Sequence, residues 1–286
     1  MERLAELAQI GWKIRNEHFS PEIVFSYPNK TTAVSVTGAK CQLACAHCGG
    51  HYLKHMKTLN EVANMETQPA SLLVSGGCTT DGKVPIAEYL QALTALKQDR
   101  KYNLHVGLVD ECDIPSLVPI ADKVSFDFVG ADETIQNVLG LSRTVEDYIH
   151  CYGKLRRYLP VVPHICIGLD GGRIVGEYRA IRELKKLGAS AITFIIFTPT
   201  RGTKLAACQP PRLEEVLEVL VAARLVFPDI PLTLGCMRPG GDYRRELDVL
   251  AVAVGMNGIV NPAEEAVSRA GENGLAIQRR EECCVL

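Results

Sequence analysis

A 286-residue chain that is 47% hydrophobic and 22% charged, with 24 glycines, has the make-up of a folded protein with a large core, which excludes a disordered chain. The formal net charge of -2 is spread in both signs along the sequence, so the broad basic footprint of a nucleic-acid binder is missing and small-molecule or protein substrates fit better. No apolar run of about 18 residues is present to span a membrane. Met1 to Phe19 mixes Glu, Arg and Lys with apolar residues at helical spacing, so it reads as a helix rather than a secretion signal, and a cytoplasmic location is expected.

No Ser/Gly/Pro-rich linker divides the chain, so one main domain is expected: a helical extension over 1–30, an α/β barrel over 31–270 and a tail over 271–286. After the leader helix, Thr32 to Thr37 begins a series of short β-branched runs alternating with longer helical patterns. Further strands are expected at Ser71–Ser75, Asn103–Val109, Lys123–Val129, Val162–Leu169, Ala191–Phe197 and Leu232–Gly235, with a weak eighth at Gly258–Val260. Between them, Ile86, Tyr89, Leu90 and Leu93, and again Leu213, Val216, Leu217 and Leu220, fall at i, i+3, i+4 and i+7. Up to eight such repeats favour closure into a TIM-type (β/α) barrel, full or nearly so, with its chemistry at the C-terminal ends of the strands.

Eleven cysteines are too many for core packing alone in a reducing compartment; metal or redox chemistry is their expected use. Cys41, Cys45 and Cys48 form a C-x3-C-x2-C loop directly after the first barrel strand. Three thiolates on one short loop can hold three irons of a cubane and leave the fourth iron open for a small molecule. A zinc site would use the same thiolates with His47, His51 or His55 as the fourth ligand.

The motif resembles the signature of the radical S-adenosylmethionine (radical SAM) superfamily, with His47 at the position usually held by an aromatic residue. The resemblance implies a [4Fe-4S] cluster that binds S-adenosylmethionine, transfers one electron to its sulfonium and yields a 5'-deoxyadenosyl radical. It also implies a low-potential electron donor. His47 would pack near the adenine. Ser75, Gly76, Gly77 and Cys78 stand where family members often carry Gly-Gly-Glu for the methionyl amino group, with Cys78 replacing the Glu. Gly168 to Glu177 resembles the fifth-strand glycine motif. Thr198 to Thr203, with Pro199, Gly202 and Thr203, resembles a sixth-strand cofactor loop. Asp110, Glu111 and Asp127 are strand-end candidates for the ribose or methionyl group.

Cys78, Cys112 and Cys236 each follow a different expected strand, and Cys283 and Cys284 can fold over the same mouth, so four of these thiols suit a second iron-sulfur cluster. Buried inert thiols are the plain alternative, and Cys151, Cys166 and Cys208 read that way. Cys283 to Leu286 also spells a C-a-a-X prenylation box, but only Arg279 and Arg280 precede it in place of a polybasic stretch. No role falls to His105, His150 or His164.

More narrowly, Ser35 to Gly38, Cys48 to Leu53 with Met56, Gly235 to Pro239 and Tyr243 to Pro262 resemble the two-component lipoyl synthases. That resemblance implies sulfur insertion into an octanoyl chain on a carrier protein or lipoyl domain, a related radical SAM partner enzyme, and a second cluster as sulfur source. Arg238 would anchor substrate or cofactor. A mutase or maturase of the methylornithine-synthase or hydrogenase-maturase type, and a non-catalytic iron-sulfur carrier, are the alternatives.

Overall fold

The computed structural model describes residues 2–286. A long helix α1 (Glu2–His18) leads into β1 (Glu22–Ser26), and the repeating part begins at β2 (Thr31–Ser35). There follow α2 (Leu59–Ala63), β3 (Ser71–Ser75), α3 (Leu90–Lys97), β4 (Lys101–His105), α4 (Ile114–Leu117), β5 (Lys123–Asp127), α5 (Asp132–Asn137), α6 (Val145–Tyr158) and β6 (Val161–Ile167). The second half runs α7 (Glu177–Lys186), β7 (Ile192–Ile196), α8 (Leu213–Val226), β8 (Leu232–Leu234), α9 (Gly241–Ala253), β9 (Gly258–Val260), α10 (Glu264–Glu272) and β10 (Ala276–Arg280).

All ten strands are parallel and hydrogen-bonded in the order β10-β1-β9-β8-β7-β6-β5-β4-β3-β2. The eight expected strands are β2 to β9, side by side in chain order, as a TIM-type barrel requires. Two further strands correct the expectation. The segment read as a purely helical extension also supplies β1, and the tail supplies β10. Together they occupy the gap across which an eight-stranded barrel would pair β9 with β2, so the sheet is curled but its edge strands β2 and β10 do not pair. Residues after β10 bridge that seam: the Lys30 amide donates to the Glu281 carbonyl at 2.9 Å, and the Cys283 amide to Thr31 Oγ1 at 2.8 Å.

Several expected strands stop short because a glycine turns the chain. Gly107 has φ +62° and a side chain there would lie 2.3 Å from the Gly82 carbonyl oxygen, so β4 ends at His105. Gly168, at φ +76°, likewise ends β6. The helical patterns hold: Ile86 and Leu93 are buried on a short 3-10 turn and on α3, and Val216, Leu217 and Leu220 on α8. Between α6 and the sheet, Phe126, Phe128, Tyr148 and Tyr152 pack edge to face. Helix α1 lies against α8 and α9, where the buried Arg15 donates to the carbonyls of Phe19, Ser20 and Glu22 and so fixes the turn into β1. No described helix is long and apolar enough to cross a membrane.

Candidate radical-generating site

The strands' alternate residues face inward, and with the loops at their C-terminal ends they enclose a cavity of about 510 Å³. Cys41, Cys45 and Cys48 line it, together with His47, Ser75, Gly76, Gly77, Cys78 and Asp127. The loop bearing the three thiols is anchored at several strand ends. The Gln42 amide donates to the Cys78 carbonyl (2.9 Å), the Ala46 amide to Val138 (2.7 Å), and the Leu205 amide to Ala46 (3.1 Å). Gly77 makes room for it: a Cβ there would stand 2.0 Å from the Lys40 carbonyl oxygen and 2.6 Å from Cys41 Cα. The Gly77 amide also donates to Thr37 Oγ1 at 2.7 Å. The glycine pair after β3 is therefore required by the close approach of two loops.

Donor atoms of Cys45, His47 and Cys48 lie within 4.8 Å of one another, while Cys41 Sγ is set against the Cys78 carbonyl, 3.9 Å away. The Cys48 thiol is held low, first by a hydrogen bond from Cys45 and then by His47 and the Gly50 amide; Cys45, as the donor and by burial, is pushed up. One thiolate is thus stabilised before any metal arrives. The Nδ1 of His47 is buried with no protein partner. Two close thiols with a third lining the same cavity, an orphaned ring nitrogen and a glycine-lined approach suit a thiolate-held cluster with a ligand beside it.

The structure separates the remaining expected residues. Pro199, Gly202 and Thr203 belong to the loop that packs on the cysteine loop, with Tyr52 Oη and Thr200 Oγ1 2.9 Å apart, but they do not line the cavity. Nor does Gly168, though its neighbours Leu169 and Asp170 do; Glu177 organises that turn by accepting from the amides of Gly168, Val175 and Gly176. Glu111 is outside, paired with Lys154 at 2.8 Å. Arg238 is no free anchor: its guanidinium is fully buried against Asp248 (2.7 and 2.9 Å) and the carbonyls of Gly235, Val260 and Asn261.

The second set of thiols also needs correction. Cys112 is exposed, beside Asp113 and away from the cavity. Cys78 lines the cavity but sits with the first triad, where burial and then the neighbouring Cys41 push its thiol up to about 12. Cys236, Cys283 and Cys284 do line the cavity together. The open surface of Cys236 faces this interior, so surrounding protein still pushes its thiol up. Cys284 donates to Cys283 and holds that thiol low. Cys151 is buried on α6 against the Val109 carbonyl, as expected of a structural thiol, whereas Cys166 turns out to face the cavity.

The sequence left two lining residues unassigned. His105 and His164 project into the cavity from β4 and β6, ring centroids 5.6 Å apart, with Asp127 nearby. Burial lowers both pKa values, to about 4 for His105, so both rings are neutral. His164 Nδ1 donates to the Val162 carbonyl at 3.1 Å, which leaves Nε2 as an acceptor. Inward alternation with Asn103 and Cys166, two residues away on the same strands, is the signal that could have found them.

No family model matches the sequence. The chain is 23% identical over 264 residues to biotin synthase from Campylobacter hominis, covering 83% of this chain and 76% of that one. This likeness agrees with the radical SAM resemblance carried by the Cys41, Cys45 and Cys48 motif. Methylornithine synthase (PylB) has the same fold, with a TM-score of 0.68 at 14% identity over 96% of this chain and 89% of that one. The FeFe-hydrogenase maturase HydG from Carboxydothermus hydrogenoformans also superposes with a TM-score of 0.68, at 12% identity over 95% and 71% of the two chains. Cys41, Cys45 and Cys48 line one cavity as free thiols and are the residues that could hold a [4Fe-4S] cluster with S-adenosylmethionine beside it, as the motif resemblance implies.

Proposed function

We propose that this radical SAM enzyme inserts sulfur into a protein-bound octanoyl chain, as a lipoyl synthase component working with a related radical SAM partner. The observation that carries the proposal is that Cys236, Cys283 and Cys284 line the same cavity as the first triad. Held by Cys41, Cys45 and Cys48, a [4Fe-4S] cluster with S-adenosylmethionine would supply one-electron radical chemistry in this cavity. This chain's own residues then have three tasks: the cysteine loop would hold the radical source, the packed loops would limit water, and Cys236, Cys283 and Cys284 would hold an iron-sulfur cluster that supplies sulfur. His105 and His164, both neutral, add no charge to the cavity.

A mutase or maturase reading has a specific observation in its favour. Asp127, His164, Thr193 and Thr233 are register partners across four neighbouring strands, and at least the first three face the cavity, which gives it a polar stripe suited to a polar substrate. Anaerobic turnover with an octanoylated carrier-domain peptide, alone and with the partner enzyme, decides between them by product mass. A mass increase from added sulfur supports the proposal, and an unchanged peptide under both conditions overturns it. Iron content is the companion measurement: about eight irons per chain accord with two cubanes and about four with one. A non-catalytic carrier would form no 5'-deoxyadenosine with a strong reductant.

A further inference from the structure

Cys283 is clamped by polar side chains from four neighbouring strands. Its amide donates to Thr31 Oγ1 on β2 at 2.8 Å, and that oxygen lies 2.7 Å from Ser71 Oγ on β3. Its sulfur accepts from Asn103 Nδ2 on β4 at 3.5 Å, and Asn103 Oδ1 in turn accepts from Ser125 Oγ on β5 at 2.9 Å. Ser71, Asn103 and Ser125 are all buried. Among the described residues, Ser125 and Cys283 are the side-chain partners of the Asn103 amide, whereas neither Cys236 nor Cys284 accepts from a strand side chain.

A buried amide in a β-strand is costly unless its polar atoms are paired. Asn103 lines the cavity, where an apolar residue of similar size would fill the space without that cost. What the amide adds is direction. The Ser125 hydroxyl donates to Oδ1, so the other end of the planar group, the N–H, is turned to the sulfur. A flipped amide would set its oxygen against a deprotonated thiol, two acceptors face to face. Cys284 and the Val285 amide also donate to this sulfur, so donors converge on it. Hydrogen bonds to a ligand sulfur draw negative charge from it, which stabilises the reduced form of an iron-sulfur cluster and raises its reduction potential.

We propose that Asn103, oriented by Ser125, is a positioning residue for the second thiol set: its amide fixes the Cys283 sulfur and raises the reduction potential of the iron-sulfur cluster that Cys236, Cys283 and Cys284 would hold. Asn103 thereby sets how readily that cluster accepts an electron. The proposal rests on the two-cluster reading given above and is independent of which substrate enters the cavity.

The test is a redox titration followed by electron paramagnetic resonance. It uses the reconstituted full chain carrying Cys41→Ala, Cys45→Ala and Cys48→Ala, in which the second cluster alone can form. Asn103→Leu fills the space without a donor. Asn103→Asp keeps an oxygen for Ser125 and sets an acceptor against the sulfur. Asn103→Leu is expected to retain about four irons per chain and to disfavour reduction about tenfold, a potential about 59 mV lower for one electron. Asn103→Asp should shift it further in the same direction, because it adds negative charge. Ser125→Ala leaves the donor but frees the amide to turn, so a smaller fall is expected. An unchanged potential in Asn103→Leu overturns the proposal. If both Asn103 variants lose their iron, Ser125→Ala decides: a lowered potential supports the proposal, and an unchanged one overturns it by making the amide a brace for the tail alone. About four irons in the enzyme with all its cysteines, and none in the chain lacking the first triad, would instead overturn the two-cluster reading itself.

Discussion

Arg238 and Asp248 form a fully buried ion pair, Nε to Oδ1 at 2.7 Å and Nη2 to Oδ2 at 2.9 Å, that ties the loop after β8 to α9. Asp248 Oδ2 also accepts from the Ala263 amide, and Arg238 reaches the carbonyls of Val260 and Asn261 at the end of β9, so three segments meet on one charge pair. Removing one partner leaves the other charged without compensation. Asp248→Asn is expected to lower the unfolding free energy by about 3–5 kcal/mol, read from urea denaturation. Replacing both residues by apolar ones of similar volume should be far milder. If the single and double variants lose stability equally, the pair is not what holds these segments.

The two thiol sets predict different losses. Cys41→Ala, Cys45→Ala and Cys48→Ala should each abolish 5'-deoxyadenosine formation. Cys236→Ala, Cys283→Ala and Cys284→Ala should lower iron from about eight to about four per chain while 5'-deoxyadenosine persists. Cys112→Ala, on the exposed surface, should change neither quantity. Iron analysis together with nucleoside chromatography checks all seven.

Gly77→Ala forces a methyl group to within 2.0 Å of the Lys40 carbonyl oxygen, a backbone atom that no rotamer change can move. The cysteine loop must shift. The expected result is destabilisation of about 1–3 kcal/mol and poor iron incorporation at the first site, read from denaturation and visible absorbance. Gly202→Ala in the facing loop meets no neighbouring atom within 4 Å and should retain iron, although its φ of +83° adds strain.

Acid should act through the cavity histidines. His105 has its pKa lowered by burial to about 4, below its unfolded value, and His164 shifts in the same direction. Below pH of about 6.5 the unfolded chain takes up protons that the folded chain does not. The His105 contribution is therefore fully present above pH of about 6.5 and is lost as pH falls toward about 4, and that of His164 falls in the same direction. For His105 it is on the order of 3 kcal/mol at most, since a cavity that admits water weakens the burial penalty. Urea midpoints of the metal-free protein between pH 7.5 and 5 should fall less steeply for His105→Gln than for the unaltered chain. Parallel slopes would show that the ring is hydrated.

The eight repeating strands and the cysteine loop were legible in the sequence because each is a local pattern: β-branched runs between helices, and three thiols within eight residues. What escaped depends on tertiary contacts. Ala276–Arg280 is an edge strand with mostly exposed side chains and shows no apolar run, and β1 gains its neighbours only from β9 and β10. Cys112 was misplaced because the turn at Gly107 takes the chain away from the cavity before that thiol is reached. Arg238 read as an anchor because its partner, ten residues onward, is indistinguishable in sequence from any other helical aspartate.

The placement of β1 between β9 and β10 also bears on how the molecule assembles. A strand made within the first 26 residues has no hydrogen-bonded strand neighbour until residues 258–280 arrive. Pairing across so long a stretch of chain is entropically slow, so barrel completion should be a late folding event. Until then the strand is an open edge, and α1 too lacks its packing partners until α8 and α9 are made.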